Sequence, residues 1–247
     1  MSRSLGLPWL LTMLLGPPAA LAEGPTRALS VGGSLTVASD YIYRGVSSSN
    51  NNPAFQADLH AGVGGTFLGV WGSTRDGGLE PYADYELEIY LGHRFDLGDA
   101  WSVVLSGRAH YLLGGSQESS DDYQELSAQL SWLDAWTFAI TAIPSAPRYW
   151  FYERLSRAPA FIAETTGQWL IYHGLYITAG AGYYRVTGTG PGAESADGYA
   201  YGNLGLAWEH RHWRIEAGYY LTGDRAEVLM PYPSANQRWA GSVTWRF

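Results

Sequence analysis

Three pairs of polar residues spaced two apart stand out in this chain: Glu86 with Glu88, Arg108 with His110, and Glu125 with Ser127. On extended backbone, residues i and i+2 share a face, so each pair projects both its side chains to one side. A carboxylate, an imidazole and a hydroxyl are the parts of a nucleophilic hydrolase, in which the imidazole takes the serine proton and the acid orients the imidazole. With Arg108 added, the same residues are equally the parts of an ion-pair network, or of a charged ring that sorts permeating solutes. Asp40 with Arg44, Asp58 with His60, Arg214 with Glu216, and Glu164 by itself extend the set. A metal reading is weaker: His210 and His212 flank Arg211, whose guanidinium opposes a cation, and the chain has no Cys to supply thiolates. No cofactor is implied.

Which chemistry applies depends on the elements that carry these residues. Starting at Ser30, alternation of apolar and polar residues predicts twelve strands, at residues 30–46, 54–64, 66–73, 84–95, 101–113, 123–133, 136–143, 159–171, 175–186, 198–209, 212–222 and 237–247. The last is the clearest. Trp239, Val243, Trp245 and Phe247 fall on one face, and Arg238, Ser242, Thr244 and Arg246 on the other. The links alternate in length: tight at 64–65, 96–100, 134–135, 172–174 and 210–211, and long and polar or rich in Pro and Gly between them. Short turns on one rim and long loops on the other are the pattern of a transmembrane barrel.

The amino-terminus agrees. Arg3, the apolar run from Leu5 to Leu15 and the small-residue site at Ala20–Leu21–Ala22 read as a signal peptide over residues 1–22. A short segment, 23–29, then leads into a barrel of residues 30–247. Removing the signal moves the formal charge from 15 − 23 = −8 to 14 − 23 = −9, and every basic residue is Arg. This acidity argues against nucleic acid as a partner. With no Cys, neither a disulfide framework nor a lipid anchor is expected. No segment after the signal approaches the ~18 consecutive apolar residues of a membrane helix. The 31 Gly, 18 Tyr and 11 Trp, against 15% charged residues, suit turns and strands in a membrane.

Aromatic residues mark both predicted rims. Phe95, Trp101, Trp132, Trp136, Trp169, Trp208, Trp213 and Trp245 collect at the short turns. Tyr41, Tyr43, Tyr85, Tyr111, Tyr123, Tyr183 and Tyr199 are expected to form a second girdle at the long loops. The loop from Ala146 to Pro159, with Arg148, Arg154 and Arg157, is read as part of that outer rim, its arginines meeting lipid phosphates. An even strand number returns the chain to its starting rim, where last strand closes on first and leaves no edge in hydrocarbon. Trp245 and Phe247 are then lipid-facing, and a strand ending on Phe247 suits recognition by the barrel assembly machinery.

One resemblance bears on this reading. Ser39, Asp40, Tyr41, Arg44, Gly45 and Ser47, then Pro53, Ala54 and Gln56, then Gly69, Val70, Trp71 and Ser73, then Glu86, Leu87, Glu88, Tyr90 and Gly92 follow a recurrent pattern. This stretch resembles the start of the TorF-type porins of proteobacteria. The resemblance implies a barrel in the outer membrane that conducts solutes, and it assigns no residue a role.

Parity turns Asp40, Arg44, Asp58, His60, Glu86, Glu88, Arg108, His110, Glu125, Glu164, Arg214 and Glu216 inward, and Leu87, Ile89, Leu91, Leu105, Leu126, Phe138 and Ile140 outward. A charge on the lipid side would cost about 2–4 kcal/mol at the midplane. Centring the register on the tight link after Phe95 places Glu88 opposite Arg108 and Glu86 opposite His110. His110 is expected near Glu125, and Asp40 opposite His60. The expected function is a passive outer-membrane pore with a narrow, charged, partly plugged lumen for small polar solutes or ions, touching outer-membrane lipids outside. No enzyme activity is expected. The alternatives are a lipid-modifying barrel enzyme using Ser127, His110 and Glu125, although no G-x-S-x-G context surrounds the serine, and a structural or adhesive barrel.

Overall fold

The structure, a computed structural model, describes residues 29–76, 83–114, 121–151, 153–189, 195–230 and 237–247. The signal peptide read at 1–22 lies outside them. Where bulky apolar and polar residues alternate, the chain is strand. It opens with β1 (Ser30–Ala38), followed by two short pieces, β2 (Ile42–Tyr43) and β3 (Val46–Ser47), and then β4 (Ala54–Val63), β5 (Thr66–Thr74) and β6 (Tyr85–Asp96). Next come β7 (Trp101–Leu113), β8 (Tyr123–Trp132), β9 (Trp136–Ala146), and the two-residue strands β10 (Tyr149–Trp150) and β11 (Glu153–Arg154). The chain ends with β12 (Ala158–Tyr172), β13 (Leu175–Thr189), β14 (Ser195–His210), β15 (Trp213–Thr222), the single-turn α1 (Ala226–Leu229) and β16 (Arg238–Arg246).

Twelve of these strands close into one antiparallel barrel in the order β1-β16-β15-β14-β13-β12-β9-β8-β7-β6-β5-β4, with β4 returning to β1. Each long strand pairs with its neighbour in sequence, and the first meets the last at Leu35↔Trp245 and Val37↔Val243. The faces separate as parity requires. Phe55, Leu59, Leu126, Ile140 and Leu204 point outward and stay more than half exposed, whereas Asp58, Glu86, Glu88, Glu125 and Arg214 are buried inside. The apolar exterior and polar interior are those of a transmembrane barrel.

Tight hairpins close one rim. Gly64 and Gly65 both have positive φ, as do Leu133 and Asp134, the requirement of a two-residue turn whose twist matches the flanking strands. Trp101 and Trp132 lie in contact on this rim at 6.4 Å, Trp136 and Trp169 at 5.2 Å, and Trp245 and Phe247 at 4.9 Å, which forms the expected girdle. At the other rim the expectation fails in part. Tyr85, Tyr111 and Tyr183 are exposed outward, but Tyr41, Tyr123 and Tyr199 are buried inside the barrel and Tyr43 is half-buried there.

The first predicted strand is the main correction. It ends at Ala38, and residues 40–49 turn into the barrel instead of climbing past the rim. Asp40 and Arg44 are therefore not wall residues but part of this inward segment. The register of β1 with β4 places His60 opposite Gly32, not Asp40. The β6–β7 hairpin is likewise centred one residue later than expected, at Asp96↔Ser102, so Glu88 faces His110 and Tyr90 faces Arg108. The offset is two residues along the strand, which leaves every face unchanged.

Glycines set how closely aromatic rings cover the inner wall. Tyr90 lies over Gly69, its cross-strand partner, where an added Cβ would meet the ring at 2.3 Å. The ring has no room to retreat, because its hydroxyl donates to Asp58 at 2.6 Å. Gly69→Ala should therefore lower the stability of the folded barrel by about 1–3 kcal/mol, an overpacking cost read from urea unfolding in detergent.

Candidate functional site

Near the long-loop rim, the inward segment and four wall strands build one charged cluster. Arg44 and Gly45 both have positive φ and form the two-residue turn between β2 and β3, a small hairpin with its tip inside the barrel. A non-glycine residue in that conformation carries a backbone cost. It is offset by a bidentate pair, Arg44 Nη1 to Glu125 Oε1 and Nη2 to Oε2, each at 2.9 Å. Tyr43 donates its hydroxyl to the same carboxylate at 2.8 Å, and Tyr41 donates to Glu86 at 3.1 Å.

The base of the hairpin is held to the last strand. Asp40 accepts hydrogen bonds from Ser47 and Ser49 and pairs with Arg238 of β16 at 3.1 Å, while Arg238 also donates to Asn51 at 2.7 Å. Thr222 of β15 donates to the Gly45 carbonyl. Val46 packs with Ile143, Ile162, Tyr184, Tyr199, Tyr201 and Leu229, so an apolar layer shared with α1 lies over part of the lumen. Beside it, a cavity of about 90 Å³ remains among Arg44, Arg75, Tyr123, Tyr149 and Met230.

The wall side of the cluster brings together the spaced pairs of the sequence. Glu86 pairs with Arg75 at 2.6 Å and Glu88 with Arg108 at 2.9 Å. Fully buried His110 lies between them, its Nδ1 2.9 Å from Glu86 and 3.2 Å from Glu88, its Nε2 3.6 Å from Glu125, and its ring stacked on Tyr123. The expected band is real, although its contacts run diagonally because of the register offset. Donor atoms of Glu86, Glu88 and His110 lie within 4.8 Å of one another, close enough for a metal. Arg75 and Arg108 already occupy both carboxylates, so their charge is balanced within the protein and the arrangement is an ion-pair network.

The remaining expected residues form separate groups. Asp58 accepts from Tyr90 and contacts His60 Nδ1 at 2.6 Å. Near the short-turn rim, buried Arg214 pairs with Glu216 at 3.0 Å and Glu209 at 2.7 Å, and Arg246 joins Glu209 at 3.2 Å. Among the described residues Glu164, on β12, has no ion pair within bonding distance but lies within electrostatic reach of Arg44, and it accepts from Tyr201 at 2.5 Å. Ser127 is not brought to His110: it faces Ser106, four residues along β7 from His110, and its hydroxyl shares a hydrogen bond with Thr141 at 2.7 Å. His212 meets the Arg246 carbonyl and His210 stacks on Trp208, an ordinary turn. Two of the three arginines of the loop from Ala146 to Pro159 also depart from the rim reading, since Arg148 is buried against Ser156, and Arg157 donates to Ser145 and Asp122; the Arg154 side chain lies outside the described residues. Arg75, Tyr90, Tyr123 and Tyr201 carry roles that sequence reasoning did not assign. Parity alone places the last three on the inner face beside Glu88, Glu125 and Asn203.

A family model described as "Bacterial protein of unknown function (Gcw_chp)" matches residues 22–240. No curated protein matches the chain. Among solved structures the chain is similar to the NanC porin, with TM-score 0.53 and 14% identity over 88% of this chain and 98% of that one. A membrane protein from work on in-meso crystallization gives TM-score 0.51 and 11% identity over 87% and 83%. OmpF of Salmonella typhi gives 0.48 and 6% over 89% and 97%. At such identities the likeness is one of fold, an outer-membrane barrel. That is the part of the TorF-type resemblance these findings support.

Proposed function

The chain belongs to the Gcw_chp family of bacterial proteins, and on that premise we propose that it is a narrow outer-membrane porin for small polar solutes or ions, with the β2–β3 hairpin as its constriction. One observation carries this reading: a closed barrel of twelve strands holds a charged interior into which its own first long loop folds. Twelve strands enclose more space than the side chains of eight can fill, and less than the wide channel of sixteen or more. A loop folded into that space sets the bore and places charges along it. The fold likeness to a protein titled a porin supports the same conclusion, as does the resemblance of the segment through Gly92 to the TorF-type porins.

The exterior supports an outer-membrane location and the partners that go with it. The short-turn aromatic girdle sits at a lipid interface of a Gram-negative outer membrane, and the last strand, with Trp245 on its outer face and Phe247 just beyond it, is the segment offered to the barrel assembly machinery. Single-channel recording of the refolded mature chain in a planar bilayer is the test. Small, discrete current steps are expected. A folded barrel that passes no current at any voltage would remove the porin reading and leave a structural barrel.

A further inference from the structure

Lumen charge is not evenly matched. Asp40, Glu86, Glu88, Glu125, Glu209 and Glu216 each pair with a guanidinium, and Asp58 has both oxygens engaged by His60 and Tyr90. Glu164 differs. It is 5% exposed, its Oε1 accepts from Tyr201, its Oε2 has no hydrogen-bond partner, and among the described residues no cation pairs with it.

The wall around Glu164 has a matching character. Its register runs in rows across β12, β13 and β14: Glu164, Gly182 and Tyr201, then Thr166, Gly180 and Asn203, then Gln168, Thr178 and Gly205. Gly182 lets the Tyr201 ring cross β13 to reach Glu164, since a Cβ there would meet the ring at 2.4 Å. In the next rows Thr166 Oγ1, Thr178 Oγ1 and both amide atoms of Asn203 are buried without a partner. Buried polar atoms left unsatisfied in a folded protein call for water, an ion or a function to complete them. Gln168 ends the run, its Nε2 also without a partner and its Oε1 accepting from Arg214 at 3.3 Å. From Glu164 down to that point the partnerless atoms form a ladder headed by a carboxylate with no ion pair, and most are oxygens, the ligands that small hard cations take.

We propose that this ladder is the cation lane of the pore and that Glu164 is its selecting residue, so that the barrel passes small monovalent cations in preference to anions. The inference rests on the porin reading and adds the class of solute. The ion-paired band around His110 then contributes shape to the lumen but little net charge.

The test is the reversal potential of the refolded full mature chain in a planar bilayer under a potassium chloride gradient. Wild type should favour potassium, and isosteric Glu164→Gln should lower the potassium-to-chloride permeability ratio about fivefold, the weight of one nearby charge in a watery site. Asn203→Asp, which adds a carboxylate one row along, should raise the ratio, and it decides the matter if Glu164→Gln does not fold. A conducting wild type that favours chloride, or ratios unchanged in the folded variants, would overturn the lane and leave the porin standing. Absence of current from folded wild type would remove both.

Discussion

Replacing residues 42–47 by a short glycine link should raise single-channel conductance severalfold while the barrel still folds. The hairpin is absent from the barrel's ladders: β1 ends at Ala38, β4 begins at Ala54, and their pairing is complete from Ser30↔Gly62 to Ala38↔Ala54. Its removal takes from the lumen the Arg44 guanidinium, the Tyr43 ring, the Ile42 side chain, and the Val46 contact with the apolar layer beside α1. Folding is checked by the heat-dependent gel migration typical of closed barrels, and conductance by planar-bilayer recording. An unchanged conductance in a folded variant would show that ions do not pass the hairpin.

Glu125→Ala should be the most damaging single substitution in the lumen. The carboxylate holds both terminal nitrogens of Arg44 and the Tyr43 hydroxyl, and lies beside His110. Arg44 is 3% exposed, and its loss of Glu125 leaves a buried cation without its partner, a change that costs about 3–5 kcal/mol. Urea unfolding in detergent reads the loss. The double variant Glu125→Ala with Arg44→Ala should be more stable than the sum of the single effects predicts, because neither charge is then stranded. Additive losses would show that the pair does not hold the hairpin.

Much of this was legible because a barrel wall has a period of two, and the membrane forces it to be obeyed. Leu126 and Ile140 outside, Glu125 and Thr141 inside, follow from counting alone, and the alternation of tight and long links orders the strands. What parity cannot see is where a strand stops. Residues 39–46 continue the alternation of β1, so Tyr41 and Tyr43 were placed on a rim although they line the interior. A strand over 30–46 would be far longer than the ~9–11 residues that cross a bilayer, and Arg44–Gly45 is a plausible two-residue turn; length and turn chemistry together carry the missing signal. Register failed for a related reason: Gly98, with φ of 85°, sits within a four-residue link, and centring it one residue early moves each partner by two. Side chains as long as Glu and Arg bridge that offset, so the band was anticipated from the wrong pairs.

The tie between Asp40 and Arg238 has a consequence for the order of events as the protein is made. Asp40 follows the first strand and Arg238 opens the last, and they become neighbours only when β1 and β16 zip together from Ala38↔Ser242 to Ser34↔Arg246. Before that moment the sheet is open and the hairpin's anchor is missing; after it, the anchor and the closed wall exist together. Sealing the wall and latching the hairpin are thus a single step. A chain whose ends had not yet met would lack the closed wall and the anchored hairpin alike.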